Sequence, residues 1–138
     1  MSTFQVSILA ADHVLYKGPC ESLMIPTPKG QYGILAHHSN MISAVVPGTL
    51  TYREPGQEDS VAAVSSGLMK IENNEVLVLV DAAERPEEID ENRAKAEAAA
   101  AREAILQKKS IQEYHSAQTR LARAINRLKV KNSYSKIP

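Results

Sequence analysis

Glycine and proline are confined almost entirely to the first part of this 138-residue chain. All six glycines precede residue 68, and every proline except Pro138 lies at or before Pro86. Because both residue types mark turns and weaken helices, their distribution predicts short elements joined by turns first, and long helices afterwards. We therefore expect two parts, residues 1–86 and residues 87–138, with an α+β fold overall.

Apolar residues alternate along the first part, in pairs or triplets separated by Gly, Pro and Asn. This period of two predicts half-buried β-strands, at Phe4, Val6 and Ile8, at Val14 and Tyr16, at Leu23 and Ile25, at Leu50 and Tyr52, and at Val61 and Ala63. The segment MKIENNEVLVLVDA predicts a hairpin with its turn at Asn73–Asn74 and with Val76, Val78 and Val80 on one face. Roughly eight to ten such strands predict an all-β sandwich or flattened barrel.

The second part begins with an alanine-rich segment, EEIDENRAKAEAAAAREA, at residues 87–104. Asp90 is the expected N-cap of a first helix, because its carboxylate can accept a bond from an unpaired backbone amide. The apolar stripe of this helix is narrow and consists of Ala94, Ala98, Ala101 and Ile105.

A second helix is predicted to start at the capping box Ser110–Glu113. Its apolar residues are Ile111, Tyr114, Leu121, Ile125 and Leu128, with Ala117 and Ala124 beside them, and Arg120, Arg123 and Arg127 form a separate stripe. With only a few residues between them, the two helices are expected to form an antiparallel hairpin.

Alanine gives this hairpin a weakly adhesive surface. Burial of an alanine methyl yields about 0.8 kcal/mol, compared with about 1.5–3 kcal/mol for Leu or Ile. A stable helix with a weak apolar face suits a movable arm, although a hairpin that never moves fits the same pattern.

The net charge of zero hides an asymmetry between the two parts. Residues 1–86 carry 9 acidic and 5 basic side chains (net −4), whereas residues 87–138 carry 7 acidic and 11 basic ones (net +4). The C-terminal part is therefore expected either to meet an anionic partner or to expose a solvated cationic face.

Several classes of protein are disfavoured by what the sequence lacks. There is no apolar run long enough to span a bilayer, no signal-peptide pattern at the start, and no G-x-S-x-G or P-loop motif. Cys20 is the single cysteine, expected to be a buried thiol, and the adjacent His37 and His38 do not predict a metal site. No enzyme activity and no metal are predicted.

The order of four segments resembles the epsilon subunit of the bacterial F-type ATP synthase. The segments are KGQYGILAHHSNM (29–41), SSGLMKIENNEVLVLVDAAER (65–85), IDENRA (89–94) and RAINRL (123–128). The resemblance covers almost the whole chain. It implies a ten-stranded β-sandwich followed by a two-helix hairpin, in a non-catalytic central-stalk subunit that helps to couple proton flow to ATP synthesis.

The resemblance also implies partners and a location. The family contacts the gamma subunit and the ring of c subunits, and its extended hairpin reaches the catalytic alpha and beta subunits and inhibits ATP hydrolysis. This implies a peripheral protein on the cytoplasmic face of a bacterial cell membrane, without insertion into it. Interface residues implied here are Gln31, His38, Arg120, Arg123 and Arg127. The loop at 31–41 lacks the acidic residue and the two prolines that are usual in the family.

A subset of the family binds ATP as a regulatory ligand in the hairpin, with no cofactor required and with the role of Mg²⁺ open. The motif of that subset stands here as Ile89, Asp90, Arg93 and Ala94, and the resemblance adds Glu84, Arg123 and Arg127. Guanidinium groups suit phosphate because they present planar donor forks. At the position where the subset usually carries a further Arg, two turns after the Arg of the motif, this chain has Ala100.

Three alternatives are kept beside the ATP-sensing arm. Asp90 and Arg93 could serve only as an N-cap and an i,i+3 ion pair. The chain could be a stalk subunit that couples without binding ATP. A small β-barrel with basic helices could also bind nucleic acid, although the acidic first part and the scarcity of aromatic residues oppose this.

Overall fold

The computed structural model describes residues 2–107 and 111–134. The chain divides into two compact units, with bounds Met1–Arg85 and Pro86–Pro138. The first unit contains ten β-strands. They are β1 Phe4–Ala10, β2 Val14–Cys20, β3 Ser22–Thr27, β4 Gly30–Leu35, β5 Met41–Val45, β6 Gly48–Arg53, β7 Asp59–Val64, β8 Gly67–Glu72, β9 Glu75–Val80 and β10 Ala83–Glu84. The second unit contains a 3₁₀ turn, Pro86–Glu88, and the helices α1, Glu91–Gln107, and α2, Ile111–Tyr134.

The ten strands form two five-stranded sheets, with orders β2-β1-β9-β8-β5 and β10-β7-β6-β3-β4. Strand β1 runs parallel to β9 and antiparallel to β2. Both sheets contribute to one aliphatic core, which includes Ile8 and Val78 from the first sheet and Ile25 and Leu50 from the second. The predicted sandwich of about ten strands is confirmed.

Alternation identifies most buried positions correctly but fails in β2. Val14 is 58% exposed, whereas its neighbour Leu15 is buried. The reason is a bulge: Ile8 pairs with Tyr16 and Leu9 pairs with Val14, so that Leu15 is an extra residue in its strand. An inserted residue shifts the alternation by one, which turns Val14 away from the core and Leu15 towards it.

The β8–β9 hairpin turns at Asn73 and Asn74, as predicted. Both residues have positive φ, 51° and 61°, the left-handed conformation required by the tight turn that matches strand twist. Asn tolerates this conformation better than most residues because its side chain can bond locally. Val76, Val78 and Val80 are all buried on one face of β9.

Arg85 closes the first unit by bonding back to it. Its guanidinium donates from Nη1 to the Tyr52 hydroxyl at 2.7 Å and from Nη2 to the Leu15 carbonyl at 2.9 Å. The ring of Tyr16 stacks on the ring of Tyr52, with the two centroids 4.9 Å apart. The last residue of the unit is thereby tied to β2 and β6, which holds the end of the sandwich chain in place.

Cys20 is fully buried, as predicted, and its Sγ–H donates to the Ser22 carbonyl at 2.9 Å. Burial raises the pKa of this thiol above its usual value, because the thiolate would be poorly solvated. The thiol is therefore held in its unreactive form.

In the second unit, helices α1 and α2 pack against each other through alanine. Ala94, Ala98 and Ala101 of α1 are buried, and so are Ala117 and Ala124 of α2. The larger residues predicted for the apolar stripe of α2 are less buried: Leu121 and Leu128 are half-buried and Ile125 is 43% exposed. Alanine allows the close approach of the helices, so the bulkier side chains lie at the flanks of the contact.

Two predictions about the helix connection lie outside the described residues. The capping box needs Ser110 and the side chain of Glu113, which are not described. The same applies to the side chains of Ile111 and Tyr114. Within the described part, Lys131 of α2 donates from Nζ to the Pro86 carbonyl at 3.3 Å, which links the end of the hairpin to the 3₁₀ turn.

Candidate functional site

The start of α1 is built by Asp90. Its Oδ1 accepts a hydrogen bond from the backbone amide of Arg93 at 3.1 Å, and its carbonyl accepts one from the amide of Ala94 at 3.0 Å. Asp90 is thus the N-cap, as predicted, because its side chain satisfies an amide that the helix leaves without a partner.

The guanidinium of Arg93 pairs with a residue further along the helix. Its Nε lies 3.3 Å from Oε1 of Glu97, one turn further on. The i,i+3 ion pair between Asp90 and Arg93 is therefore wrong, and an i,i+4 pair replaces it. The carboxylate of Asp90 is used by the cap, and Glu97 is the carboxylate that pairs with the guanidinium of Arg93.

Glu97 also reaches across to the second helix. Its Oε2 accepts from Nη1 of Arg127 at 2.8 Å. The Arg127 side chain is only 12% exposed, whereas that of Arg93 is 74% exposed. One carboxylate thus holds two of the arginines that the sequence associates with ATP.

An open cleft of about 290 Å³ adjoins this pair. Its lining residues are Glu97 and Ala100 of α1 and Arg120 and Arg123 of α2. We call it the arginine cleft. Arg120 and Arg123 line the cleft beside Glu97, and the guanidinium groups of Arg93 and Arg127 lie next to it on the same carboxylate, which makes the cleft suitable for phosphate or carboxylate groups.

The position of Ala100 in this cleft is informative. The resemblance implies an Arg at this place in the ATP-binding subset, and the alanine here leaves its part of the lining without a charge. The structure places Arg120, which the sequence predicted only as an interface residue, on the opposite side of the same cleft.

The predicted ATP residues are not all brought together within the hairpin. Glu84 belongs to the first unit, where it pairs with Ala63 in the β10–β7 ladder. Ile89 and Ala94 are buried, with 3% and 0% of their surface exposed. Any contact they make with a nucleotide would therefore pass through backbone atoms.

Glu97 was missed by the sequence reasoning. A signal was available, because Glu97 lies four residues after Arg93, the spacing at which oppositely charged side chains meet on a helix. Its second bond, to Arg127, joins residues 30 positions apart and has no local signature.

The second predicted contact surface is the loop after β4. His38 bonds to the Tyr32 hydroxyl through Nε2 at 2.7 Å and to the Ser39 carbonyl through Nδ1 at 2.8 Å. Because a carbonyl only accepts, Nδ1 carries the proton, and Nε2 of the neutral ring accepts from Tyr32. Gln31, on β4, donates to the Thr49 carbonyl at 3.3 Å.

Two asparagines fasten this loop to the β8–β9 turn. The amide of His37 donates to Oδ1 of Asn74 at 2.6 Å, and the amide of Asn73 donates to Oδ1 of Asn40 at 3.0 Å. His37 adopts a positive φ of 63° in this loop. These bonds give the loop a defined shape, which lowers the entropy cost of any docking at this surface.

Two family models match consecutive parts of the chain. The beta-sandwich domain of the ATP synthase delta/epsilon chain matches residues 3–86, and its long alpha-helix domain matches residues 87–132. The chain belongs to the ATP synthase delta/epsilon family. The resemblance found in the sequence is thereby confirmed.

Members of the delta/epsilon family are similar to this chain over nearly its full length. The ATP synthase epsilon chain of Caldanaerobacter subterraneus subsp. tengcongensis is 38% identical over 136 residues, which cover 98% of both chains. The epsilon chain of Ruminiclostridium cellulolyticum is 39% identical and covers 96% of this chain and 98% of its own. The chain therefore functions as a subunit of the F-type ATP synthase, in ATP synthesis linked to proton transport.

The fold of the delta/epsilon family is also seen in a solved structure. A chain of the Euglena gracilis mitochondrial ATP synthase, from a structure of OSCP, F1 and c-ring, matches with a TM-score of 0.78 at 20% identity. The match covers 91% of this chain and 79% of the other. In the described part of this chain, neither α1 nor α2 is long and apolar enough to cross a membrane.

Proposed function

We propose that this subunit is a non-catalytic component of the central stalk that helps to couple proton flow to ATP synthesis and restrains ATP hydrolysis through a movable, ATP-sensing hairpin. Family membership supports the stalk role, since both family models match in order. The observation that carries the sensing role is Glu97, which lines the arginine cleft together with Arg120 and Arg123 and whose carboxylate also pairs with Arg93 and Arg127.

The β-sandwich is the coupling part in this proposal. It would bind the gamma subunit and the ring of c subunits, and it would hold the protein peripherally at the cytoplasmic face of a bacterial membrane. The loop containing His38 is a suitable contact because Asn40 and Asn74 hold it to the β8–β9 turn. Gln31, at the neighbouring edge strand, extends the same contact surface.

The hairpin is the regulatory part. ATP bound by Arg93, Arg123 and Arg127, with Asp90 and the backbone of Ile89 and Ala94 near the base and ribose, would join α1 to α2. A ligand that binds only one state of an arm stabilises that state by about 2.7 kcal/mol at a hundredfold excess over its Kd. Such a contribution is large compared with what buried alanine methyl groups supply.

At low ATP the arm would extend along gamma towards the catalytic alpha and beta subunits. Arg120, Arg123 and Arg127 would then meet acidic groups on those subunits, as the +4 charge of residues 87–138 favours. Glu84, in the first unit, is proposed as a further ATP contact.

One observation favours a second function, that of a stalk subunit that couples without sensing ATP. Arg93 and Arg127 are both engaged by Glu97, so their charges already have a structural use. In that case the arginine network would serve only to hold the hairpin together.

Isothermal titration of the purified chain with ATP, with and without Mg²⁺, separates the two functions. The sensing role predicts saturable binding that Arg93→Ala weakens by at least about tenfold, since a charge-assisted contact to phosphate is lost. Lys95→Ala is the matched control, because Lys95 lies on the same helix and pairs with Glu91 outside the cleft. Absence of binding at millimolar ATP would leave the coupling role.

A further inference from the structure

We propose that Glu97 is an internal competitor for the phosphate groups of the nucleotide, and that it thereby sets the ATP concentration at which the hairpin responds. The inference rests on the proposed ATP-sensing function. Glu97 would weaken nucleotide binding instead of supporting it, because its carboxylate occupies the arginines that the nucleotide needs.

The geometry supports a competitor because both carboxylate oxygens are engaged. Oε1 lies 3.3 Å from Nε of Arg93, and Oε2 lies 2.8 Å from Nη1 of Arg127. A carboxylate and a phosphate present similar acceptor oxygens to a guanidinium fork. Glu97 thus makes the contacts that a phosphate group would make with the same two arginines.

The same side chain also lines the arginine cleft, with Arg120 and Arg123 opposite. A ligand that enters the cleft therefore meets the carboxylate directly. A triphosphate carries several negative charges, so that Glu97 must either leave the arginines or repel the ligand. Glu97 is 42% exposed and half-buried, which gives its carboxylate a route to solvent when it is displaced.

The exchange has a further consequence for the hairpin. The contact between Glu97 and Arg127 joins α1 to α2, and a nucleotide that displaces Glu97 replaces this contact with its own. The nucleotide must therefore break the bond between Glu97 and Arg127 before it can make its own contacts, so Glu97 would raise the ligand concentration at which the hairpin responds. The missing charge at Ala100 acts in the same direction, towards weaker binding.

A purely structural role for Glu97 predicts the opposite result. If the carboxylate only positions Arg93 and Arg127 for a ligand, its neutralisation loosens them and weakens binding. If it competes, neutralisation strengthens binding. Removal of one like charge within a few ångströms of a bound anion at a protein surface corresponds to about a five- to tenfold change in Kd.

The test is calorimetric titration of Glu97→Gln, Glu97→Asp and the unaltered full-length chain with ATP and with inorganic tripolyphosphate. Glu97→Gln keeps the size and an acceptor oxygen but loses the charge, and Glu97→Asp keeps the charge. Glu103→Gln is the matched control, because Glu103 is exposed on α1 and is not among the residues that line the cleft. Circular dichroism at 222 nm verifies that each variant retains its helices.

We expect the Kd for both ligands to fall about five- to tenfold in Glu97→Gln and to stay within about twofold in Glu103→Gln and Glu97→Asp. Binding to Glu97→Gln alone, with none to the unaltered chain, would support the competitor and remove ATP sensing from the native protein. Equal or weaker binding by Glu97→Gln, beside measurable binding by the unaltered chain, would overturn the competitor and leave ATP sensing intact. Failure of every variant to bind either ligand would overturn both proposals.

Discussion

Arg127 and Glu97 join the two helices of the hairpin through a hydrogen bond of 2.8 Å between Nη1 and Oε2, with the arginine side chain 12% exposed. The contact connects the ends of a hairpin whose buried surface is otherwise mainly alanine. Its partial burial makes it stronger than an ordinary surface ion pair, and its position makes it accessible to any anion that enters the arginine cleft.

The first prediction concerns the stability of the hairpin. Arg127→Gln should lower the free energy of opening by about 1 kcal/mol, because a charge-assisted bond between the helices is lost and Glu97 remains half exposed to water. Hydrogen exchange of the amides in α1 and α2 measures this locally. Lys95→Gln removes an exposed ion pair within α1 and should change the free energy of opening by less than about 0.5 kcal/mol. Equal protection of the helix amides from exchange in Arg127→Gln and Lys95→Gln would show that the bond between Arg127 and Glu97 does not stabilise the hairpin.

The second prediction concerns the missing arginine of the cleft. Ala100→Arg should tighten ATP binding by about tenfold, because a further guanidinium would face Arg120 and Arg123 across the space that a triphosphate would occupy. Ala99→Arg adds the same charge at an exposed neighbouring position that does not line the cleft. Titration of both variants with ATP distinguishes local contact from general attraction. A similar gain in the two would show that only net charge matters.

The third prediction concerns Gly67, at the start of β8. A Cβ on this residue would overlap the Leu79 carbonyl and lie 2.7 Å from Cα of Val80. Gly67→Ala should therefore destabilise the sandwich by about 3 kcal/mol, since the overlap involves backbone that cannot yield easily. Gly33→Ala, whose Cβ would meet only the flexible end of Met24 at 3.7 Å, should cost less than about 1 kcal/mol. Denaturant unfolding gives both values.

The fourth prediction concerns the anchoring of the loop that carries His38. Asn74→Gly keeps the positive φ of the turn but removes the side-chain bonds to the His37 amide and the Thr3 carbonyl. It should destabilise the loop by about 1–2 kcal/mol and increase hydrogen exchange at His37. Asn73→Gly is the control, because the bond of Asn73 to Asn40 uses its backbone amide and survives. Unchanged exchange at His37 would refute the anchoring.

The fifth prediction concerns Cys20 and pH. Burial raises the pKa of its thiol, so the reactive thiolate is scarcer in the folded chain than in the unfolded chain at every pH near 8. Alkylation should be at least about a hundredfold slower in the folded protein. Because its pKa is raised in the folded chain, the neutral Cys20 thiol contributes to the free energy of unfolding. This contribution is complete below the pKa of the thiol in the unfolded chain and is lost as the pH rises through its pKa in the folded chain. Rapid alkylation of the folded chain would contradict this burial.

Local patterns of the sequence determined most of the fold. The alternation of apolar residues predicted the strands, because successive side chains of a strand point to opposite faces. Asn73–Asn74 predicted a tight turn and Asp90 predicted a helix start, since both act on backbone atoms within a few residues. The family was indicated by a resemblance of four segments, residues 29–41, 65–85, 89–94 and 123–128, in their order along the chain.

The tertiary structure decided what depends on distant neighbours. The bulge that buries Leu15 instead of Val14 follows from the register of β2 against β1. The pairing of Glu97 with Arg127 joins residues 30 positions apart. Alanine, rather than Ile125, fills the helix contact, because the distance between two packed helices selects which side chains fit. Local sequence specifies backbone conformation, whereas only the packed chain determines which charges share a cleft.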